Sequence, residues 1–263
     1  MAGWPTGTGR VTHPVLDGTN AEALRQAEGG ARGPVWILAE AQSQGRGRRG
    51  RRWKMLPGNF AATLLMAPPG GLRHAALRSF VAALALQDAL VALTGRPEVF
   101  ELKWPNDVLL SGGKLAGILL ETCGGGAALA VGIGVNLAAA PDADAVEAGA
   151  LAPVSLAGAL GLTVTAEDLL DGLAPAFAHW EARLVREGFA PLREAWLARA
   201  GGIGSEVVAR LPNAEHRGRF ETINADGAMV LATASGRLVL PAAELHFAGP
   251  AFAGEGIVHA AGH

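Results

Sequence analysis

The chain of 263 residues holds a single cysteine, Cys123, which excludes an internal disulfide and makes a reducing cytoplasm the expected compartment. Met1 is not followed by the cationic start and apolar core of a secretory leader. Long apolar runs are missing too. The most apolar helix candidate, Phe80 to Leu93, is interrupted by Gln87 and Asp88 and falls short of the roughly 20 residues that a membrane span needs, so no membrane partner is expected. The seven histidines show no metal-ligand spacing, which argues against a protein-held metal. An excess of positive charge is lacking as well: 22 basic against 24 acidic residues leave a net −2 and a pI near 6.4, unlike the broad basic surface that nucleic acid requires. Lysine is scarce, 3 against 19 arginines, and two of the three, Lys103 and Lys114, fall inside the motifs below.

What is present is concentrated. Gln42 to Trp53 reads QSQGRGRRGRRW, placing Arg46, Arg48, Arg49, Arg51, Arg52 and the following Lys54 among Gly45, Gly47 and Gly50. The glycines free backbone N–H groups to approach a ligand, and guanidinium forks suit phosphate and carboxylate. Without these six basic residues the chain holds 16 basic against 24 acidic groups, a net −8, so the run is a basic island in an acidic protein. A merely solvated basic loop is the plainer reading of such a run.

Half of the residues are hydrophobic, enough for a real core. After a loose start, Thr19 or Asn20 is placed to cap a helix over Ala21 to Ala27. Val35 to Glu40 and Phe60 to Met66 read as strands, and Leu72 to Leu93 as the clearest helix. Val99 to Lys103, Val108 to Leu110, Leu115 to Glu121 and Ala127 to Val135 read as further strands, with a hairpin turn at Ser111-Gly112-Gly113. Ala138 to Pro153 reads as a surface loop, followed by helices over Ser155 to Leu160, Ala166 to Glu187 and Pro191 to Ala200. Short runs at Glu206 to Leu211, Arg217 to Ile223, Met229 to Ala232 and Arg237 to Leu240 then suggest a small β-barrel. The expected class is α+β, a mixed sheet with flanking helices over residues 1–200, the barrel over 203–248, and a flexible tail over 249–263.

Two further constellations carry chemistry. Lys103-Trp104-Pro105-Asn106-Asp107 presents an amide and a carboxylate at a strand start, and the hairpin returns Lys114 toward them. A lysine, an asparagine and an aspartate beside an arginine loop suit the joining of a carboxylate to a nucleoside triphosphate. In Val131-Gly132-Ile133-Gly134-Val135-Asn136 the glycines allow a planar ligand to lie against the strand. Trp104 reads as core and Trp53 as core or contact; Lys103 as a ligand contact or an ion-pair partner; Glu121 as a supporting or surface carboxylate; Cys123 as packing.

Together with Thr19-Asn20, Pro57-Gly58-Asn59 and KLAGILLE from Lys114, these motifs resemble the biotin protein ligases in order and spacing, from about residue 15 to residue 137. The resemblance implies an SH3-like barrel at the C-terminal end and a two-step reaction. Biotin and ATP with Mg2+ form biotinyl-5′-adenylate, and a lysine of a biotin carboxyl carrier domain then takes the biotinyl group. It also implies roles: Lys114, Arg48 and Asp107 in catalysis; Thr19, Gln42, Gly45, Arg46, Arg48, Lys114, Gly117 and Gly134 toward biotin. Toward ATP it implies Arg48, Arg49, Arg51, Trp53, Asn106, Asp107, Lys114 and Asn136, with magnesium carried by the nucleotide and not by a protein cage. The chain departs from the family at Gly18, where serine is usual, and at Met55-Leu56, where Ser-Pro is usual. The N-terminal DNA-binding domain of some members has no counterpart, so neither nucleic acid nor a repressor role is expected, and the protein is expected as a monomer or homodimer. A lipoate-type acyl-adenylate ligase and a non-catalytic relative are the alternatives, against which GRGRRGR with KWPND favours biotin.

Overall fold

The computed structural model describes residues 3–69, 72–123, 126–142, 150–211, 213–241 and 243–247. Its larger part is a seven-stranded sheet. The strands, in chain order, are β1 (Gly9–Leu16), β2 (Val35–Gln42), β3 (Phe60–Met66), β4 (Phe100–Lys103), β5 (Asp107–Leu110), β6 (Gly113–Cys123) and β7 (Ala128–Val135). They lie in the order β1-β2-β3-β7-β6-β5-β4, with β1 parallel to β2 and every other pair antiparallel. The helices are α1 (Thr19–Glu28), α2 (Arg78–Thr94), α3 (Leu156–Leu160), α4 (Ala166–Glu187) and α5 (Ala190–Leu197).

Strand alternation sorts the two faces. Leu129, Val131, Ile133 and Val135 of β7 enter the main core with α2 and α4, whereas Ala128 and Ala130 turn to the opposite face beneath α1. Gly132 and Gly134 continue that second face, and with no side chains there they leave a cleft beside the start of α1.

The helix expected over Leu72 to Leu93 is present as a 3-10 turn over Leu72–Leu77 running into α2. Together His74–Thr94 reach a hydropathy of 1.6 and are long and apolar enough to cross a membrane, contrary to the expectation. The apolar character has another use here, since 72% of that window is buried. Gln87 donates to the Phe100 carbonyl while its own Oε1 is buried without a partner, and the part-exposed Asp88 accepts from Trp180 and Arg199, so the two polar interruptions are tied to neighbouring elements of the fold.

Five strands follow: β8 (Glu206–Arg210), β9 (Glu215–Ile223), β10 (Met229–Thr233), β11 (Gly236–Leu240) and β12 (Glu244–Phe247), in the order β11-β10-β9-β8-β12. Among the described residues β11 and β12 are edges, so the pairing is that of an open sheet and the expected closure into a barrel is not part of it. Its inner residues Phe220, Ile223, Met229 and Leu231 share one core with α2 and α5. The tail expected over 249–263 and residues 143–149 of the expected surface loop lie outside the described residues.

Three local expectations are corrected. The loose start is strand β1, an edge whose Val11 and Val15 stay exposed and so give no burial pattern to read. Strand β12 is only four residues long and was not anticipated. Thr19 and Asn20 do not cap α1. Gly18 holds the cap position without a side-chain bond, while Thr19 and Asn20 are buried in the first turn with their side chains spent elsewhere.

Candidate active site

The cleft encloses about 590 Å³ of space, the solvent in its open mouth included. Its floor is the glycine face of β6 and β7, where Gly117 pairs with Gly134. The Trp53 ring lies flat against this floor: a Cβ on Gly134 would come within 2.5 Å of it, and one on Gly117 within 3.5 Å. These glycines thus accommodate a planar group, here the indole of the arginine loop.

A second wall is a buried polar array. The Gln42 side-chain carbonyl accepts from the Thr19 backbone N–H at 2.8 Å. Thr63, wholly buried in the otherwise apolar β3, lies 2.8 Å from the Thr19 hydroxyl and 2.6 Å from Asn20 Oδ1. Asn20 Nδ2 donates to Glu121 at 2.7 Å, and the other Glu121 oxygen faces the Arg46 guanidinium at 3.7 Å. Gly132 is required beside Asn20, because a Cβ there would sit 2.0 Å from its Oδ1.

The third wall is cationic. A β-bulge in the β5–β6 pair opposes Val108 to Ala116 but Leu109 to Lys114, leaving Leu115 extra. Leu115 and Ala116 therefore both enter the core, and Lys114 emerges on the same face as Gly117. The Lys114 backbone is clamped from outside the sheet: its N–H donates to the Ala152 carbonyl at 2.8 Å and its carbonyl accepts from Val154 at 3.0 Å. Lys114 Nζ stands 2.8 Å from Asp107 Oδ1, a close ion pair, and Lys103 Nζ is 3.8 Å from Oδ2. Burial works to raise the Asp107 pKa, but Lys114, Lys103 and Arg48 outweigh it and hold the carboxyl below the usual carboxylate range. Asn106 donates to the Ile118 carbonyl at 2.7 Å and accepts from Arg48 at 3.3 Å.

The arginine loop folds on itself. Trp53 N–H donates to Gly45 at 2.8 Å, Gly47 N–H to Arg51 at 2.7 Å, and Arg46 bridges Arg52. Arg49 is left-handed, with φ of 57°, and sends its guanidinium to the Arg210 carbonyl of β8 at 3.3 Å.

Of the residues singled out in the sequence, Thr19, Gln42, Arg46, Arg48, Trp53, Asn106, Lys114, Gly117 and Gly134 line the cleft. Asp107 lies one layer behind, through Lys114. Gly45 closes the base of the loop, where a Cβ would meet the Trp53 carbonyl at 2.6 Å. Arg49 turns to the C-terminal sheet, Arg51 pairs through its backbone, and Asn136 is buried off the wall with Asn59 as its amide neighbour. Lys103 is an ion-pair partner and Trp104 is core, the plainer readings of both. Thr63 is missed by the sequence reading, its signal a lone threonine in the apolar run FAATLLM. Asn20, Gly132 and Glu121 stand inside the motifs without an assigned ligand; the structure makes Glu121 the supporting carboxylate of Asn20 and Arg46, and Gly132 the space that Asn20 fills.

The arrangement joins a neutral hydrogen-bonding wall to a cationic one across Lys114, as the activation of an uncharged-headed acid by a nucleotide would require. Residues 15–137 match the model of the biotin/lipoate A/B protein ligase family, and residues 202–245 that of the biotin protein ligase C-terminal domain. A biotin–[acetyl-CoA-carboxylase] ligase of Paracoccus denitrificans is 57% identical over 236 residues, covering 89% of this chain and 98% of that one. The chain belongs to the biotin/lipoate A/B protein ligase family. Another similar member of the family, the bifunctional ligase/repressor BirA of Bacillus subtilis, is 28% identical over 86% of this chain and 70% of its own. The solved biotin protein ligase of Aquifex aeolicus in complex with biotin and ATP shares the fold, with a TM-score of 0.77 at 21% identity over 91% of this chain and 99% of that one.

Proposed function

We propose that this protein is a biotin protein ligase that activates biotin as biotinyl-5′-adenylate and passes the biotinyl group to a lysine of a biotin carboxyl carrier domain. The observation that carries the proposal is the meeting of the two walls at Lys114. On this reading residues 1–200 are the catalytic domain, residues 203–248 a smaller C-terminal one, and the reaction runs in the cytoplasm.

In the first step a biotin carboxylate oxygen bonds to the α-phosphorus of ATP, the bond to the bridging oxygen breaks, and pyrophosphate leaves. Two anions must approach, so positive charge has to offset their repulsion where it peaks. Lys114 Nζ is the group for that point, aimed by Asp107 and fixed along its backbone by Ala152 and Val154. Asp107, ionised and buried, orients the ammonium without taking its proton. Arg48, steered by Asn106, covers the phosphate side, and Thr19, Gln42 and Arg46 face the biotin side. Magnesium would come with the triphosphate and neutralise part of its charge. The donors facing the cleft are cationic and amide groups and the nearby Asp107 already meets two ammonium groups, so these residues fit phosphates and not a bare metal. In the second step the neutral amine of the acceptor lysine bonds to the acyl carbon, the bond to AMP breaks, and the amine nitrogen sheds its proton.

The test is pyrophosphate exchange into ATP, with biotin or lipoate as the acid. Biotin-dependent exchange is expected; exchange with lipoate and none with biotin would refute the assignment.

A further inference from the structure

Trp104 is almost wholly buried, yet its indole N–H donates to a backbone carbonyl outside the large sheet, that of Gly227, at 3.0 Å. Gly227 ends a turn that its own chain locks: Asn224 Oδ1 accepts the N–H groups of Asp226 and Ala228, both at 2.9 Å, and Asn224 N–H donates to the Ala228 carbonyl at 2.8 Å. The turn is wedged against α2. Gly227 has φ of 80°, and a Cβ there would lie 2.6 Å from the Phe80 ring. Phe80 is itself held by Phe189 and Trp196, at centroid distances of 5.0 and 5.5 Å. On the other side Trp104 leads through Pro105, whose carbonyl accepts from Ser79, directly to Asn106 and Asp107. Those two residues touch Arg48 and Lys114.

We infer that the Asn224–Gly227 turn of the C-terminal sheet is a positioning element for the nucleotide side of the site, acting through the Trp104 indole on Asn106 and Asp107. Trp104 and Asn224 are positioning residues: neither lines the cleft. The biotin wall, built on α1, β2 and β3, receives no bond from this turn and should be indifferent to it. The inference rests on the ligase reading above.

The full-length chain is tested for biotin-dependent pyrophosphate exchange and, separately, for biotin binding by calorimetry without nucleotide. Absence of exchange in the unaltered protein would count against the ligase reading and is seen before any variant is made. In an active protein, Trp104→Phe removes the donor together with part of the buried ring, and Asn224→Ala releases the turn while leaving the indole in place. A displacement of about 1 Å at a reacting centre costs on the order of a hundredfold, so each variant is expected to lower kcat/KM for ATP by about tenfold to a hundredfold with biotin affinity unchanged. Asn224→Asp keeps the accepting oxygen and is expected to restore the ATP parameter. Equal losses toward ATP and biotin, or a lowered Tm with unchanged kinetics, would overturn the inference, and so would an Asn224→Asp variant no better than the alanine.

Discussion

The neutral wall and the arginine loop differ in what holds them. Thr19, Asn20, Thr63 and Gln42 are bonded chiefly to one another, and three of them are less than a tenth exposed. The loop carries most of the charge, and it is held by backbone bonds at its base, by the Trp53 ring on the glycine floor and by side-chain contacts such as Arg46 to Glu121, Arg48 to Asn106 and Arg49 to the Arg210 carbonyl. Buried, mutually satisfied polar groups are costly to disturb and so define a shape; exposed guanidinium groups on a glycine-spaced loop are cheap to move. The wall suits recognition of a constant ligand, and the loop suits enclosure of an intermediate that must later be released.

Lys114 stands between these regions, and its loss should be the most severe. Lys114→Ala is expected to slow biotin-dependent pyrophosphate exchange by about two orders of magnitude, roughly 3 kcal/mol of barrier, because the variant removes the ammonium from the point where the two anions approach and leaves Asp107 there with only Lys103 and the more distant Arg48 to offset it. Exchange at the unaltered rate would remove Lys114 from the chemistry and the division between the regions with it.

Gly132→Ala tests the wall alone. The added methyl meets Asn20, which cannot retreat without breaking bonds to Thr63 and Glu121. Such overpacking costs about 1–3 kcal/mol. Weakened biotin binding by calorimetry is expected, with KM for ATP unchanged. Arg48→Gly tests the loop. Losing a charged hydrogen bond worth about 1.5–3 kcal/mol should speed adenylate release by about tenfold or more, read as biotinylation of bystander lysines. Biotin affinity without nucleotide should stay the same. If either variant harms both functions equally, the two regions are one mechanical unit.

The convergence of polar residues was readable because their motifs are specific: Lys114, Arg48 and Asn106 line one cleft, and α4 and β3 have their expected bounds. Directions were not. Lys114 reaches the cleft only because the bulge at Leu115 shifts the alternation of β6, and a bulge has no signature in KLAGILLE. Thr19 and Asn20 resembled caps because a polar side chain at a helix start serves either the helix or a neighbour, and which one depends on Gln42 and Thr63, distant in sequence. The partner of the Trp104 indole is a backbone carbonyl, which any residue supplies, so nothing in the composition of the C-terminal sheet announces it.

The smallest expected effect lies where wall and loop adjoin, at Gly18. Its backbone is extended, with φ of −171°, so no glycine is required by conformation. A Cβ would rest 3.7 Å from the Gln44 carbonyl and 3.8 Å from Gln42 Oε1, ordinary contact distances, on the cleft wall. A serine there has two uses at once: its oxygen can accept an N–H of the first turn of α1, which now has no side-chain cap, while its proton points to a ligand acceptor. Gly18→Ser is expected to add a few tenths of a kcal/mol of stability and to tighten biotin binding by up to about tenfold, one added hydrogen bond of about 1 kcal/mol. A raised Tm with unchanged biotin affinity would mean that the hydroxyl serves the helix alone, and that recognition at this wall is already complete in Thr19 and Gln42.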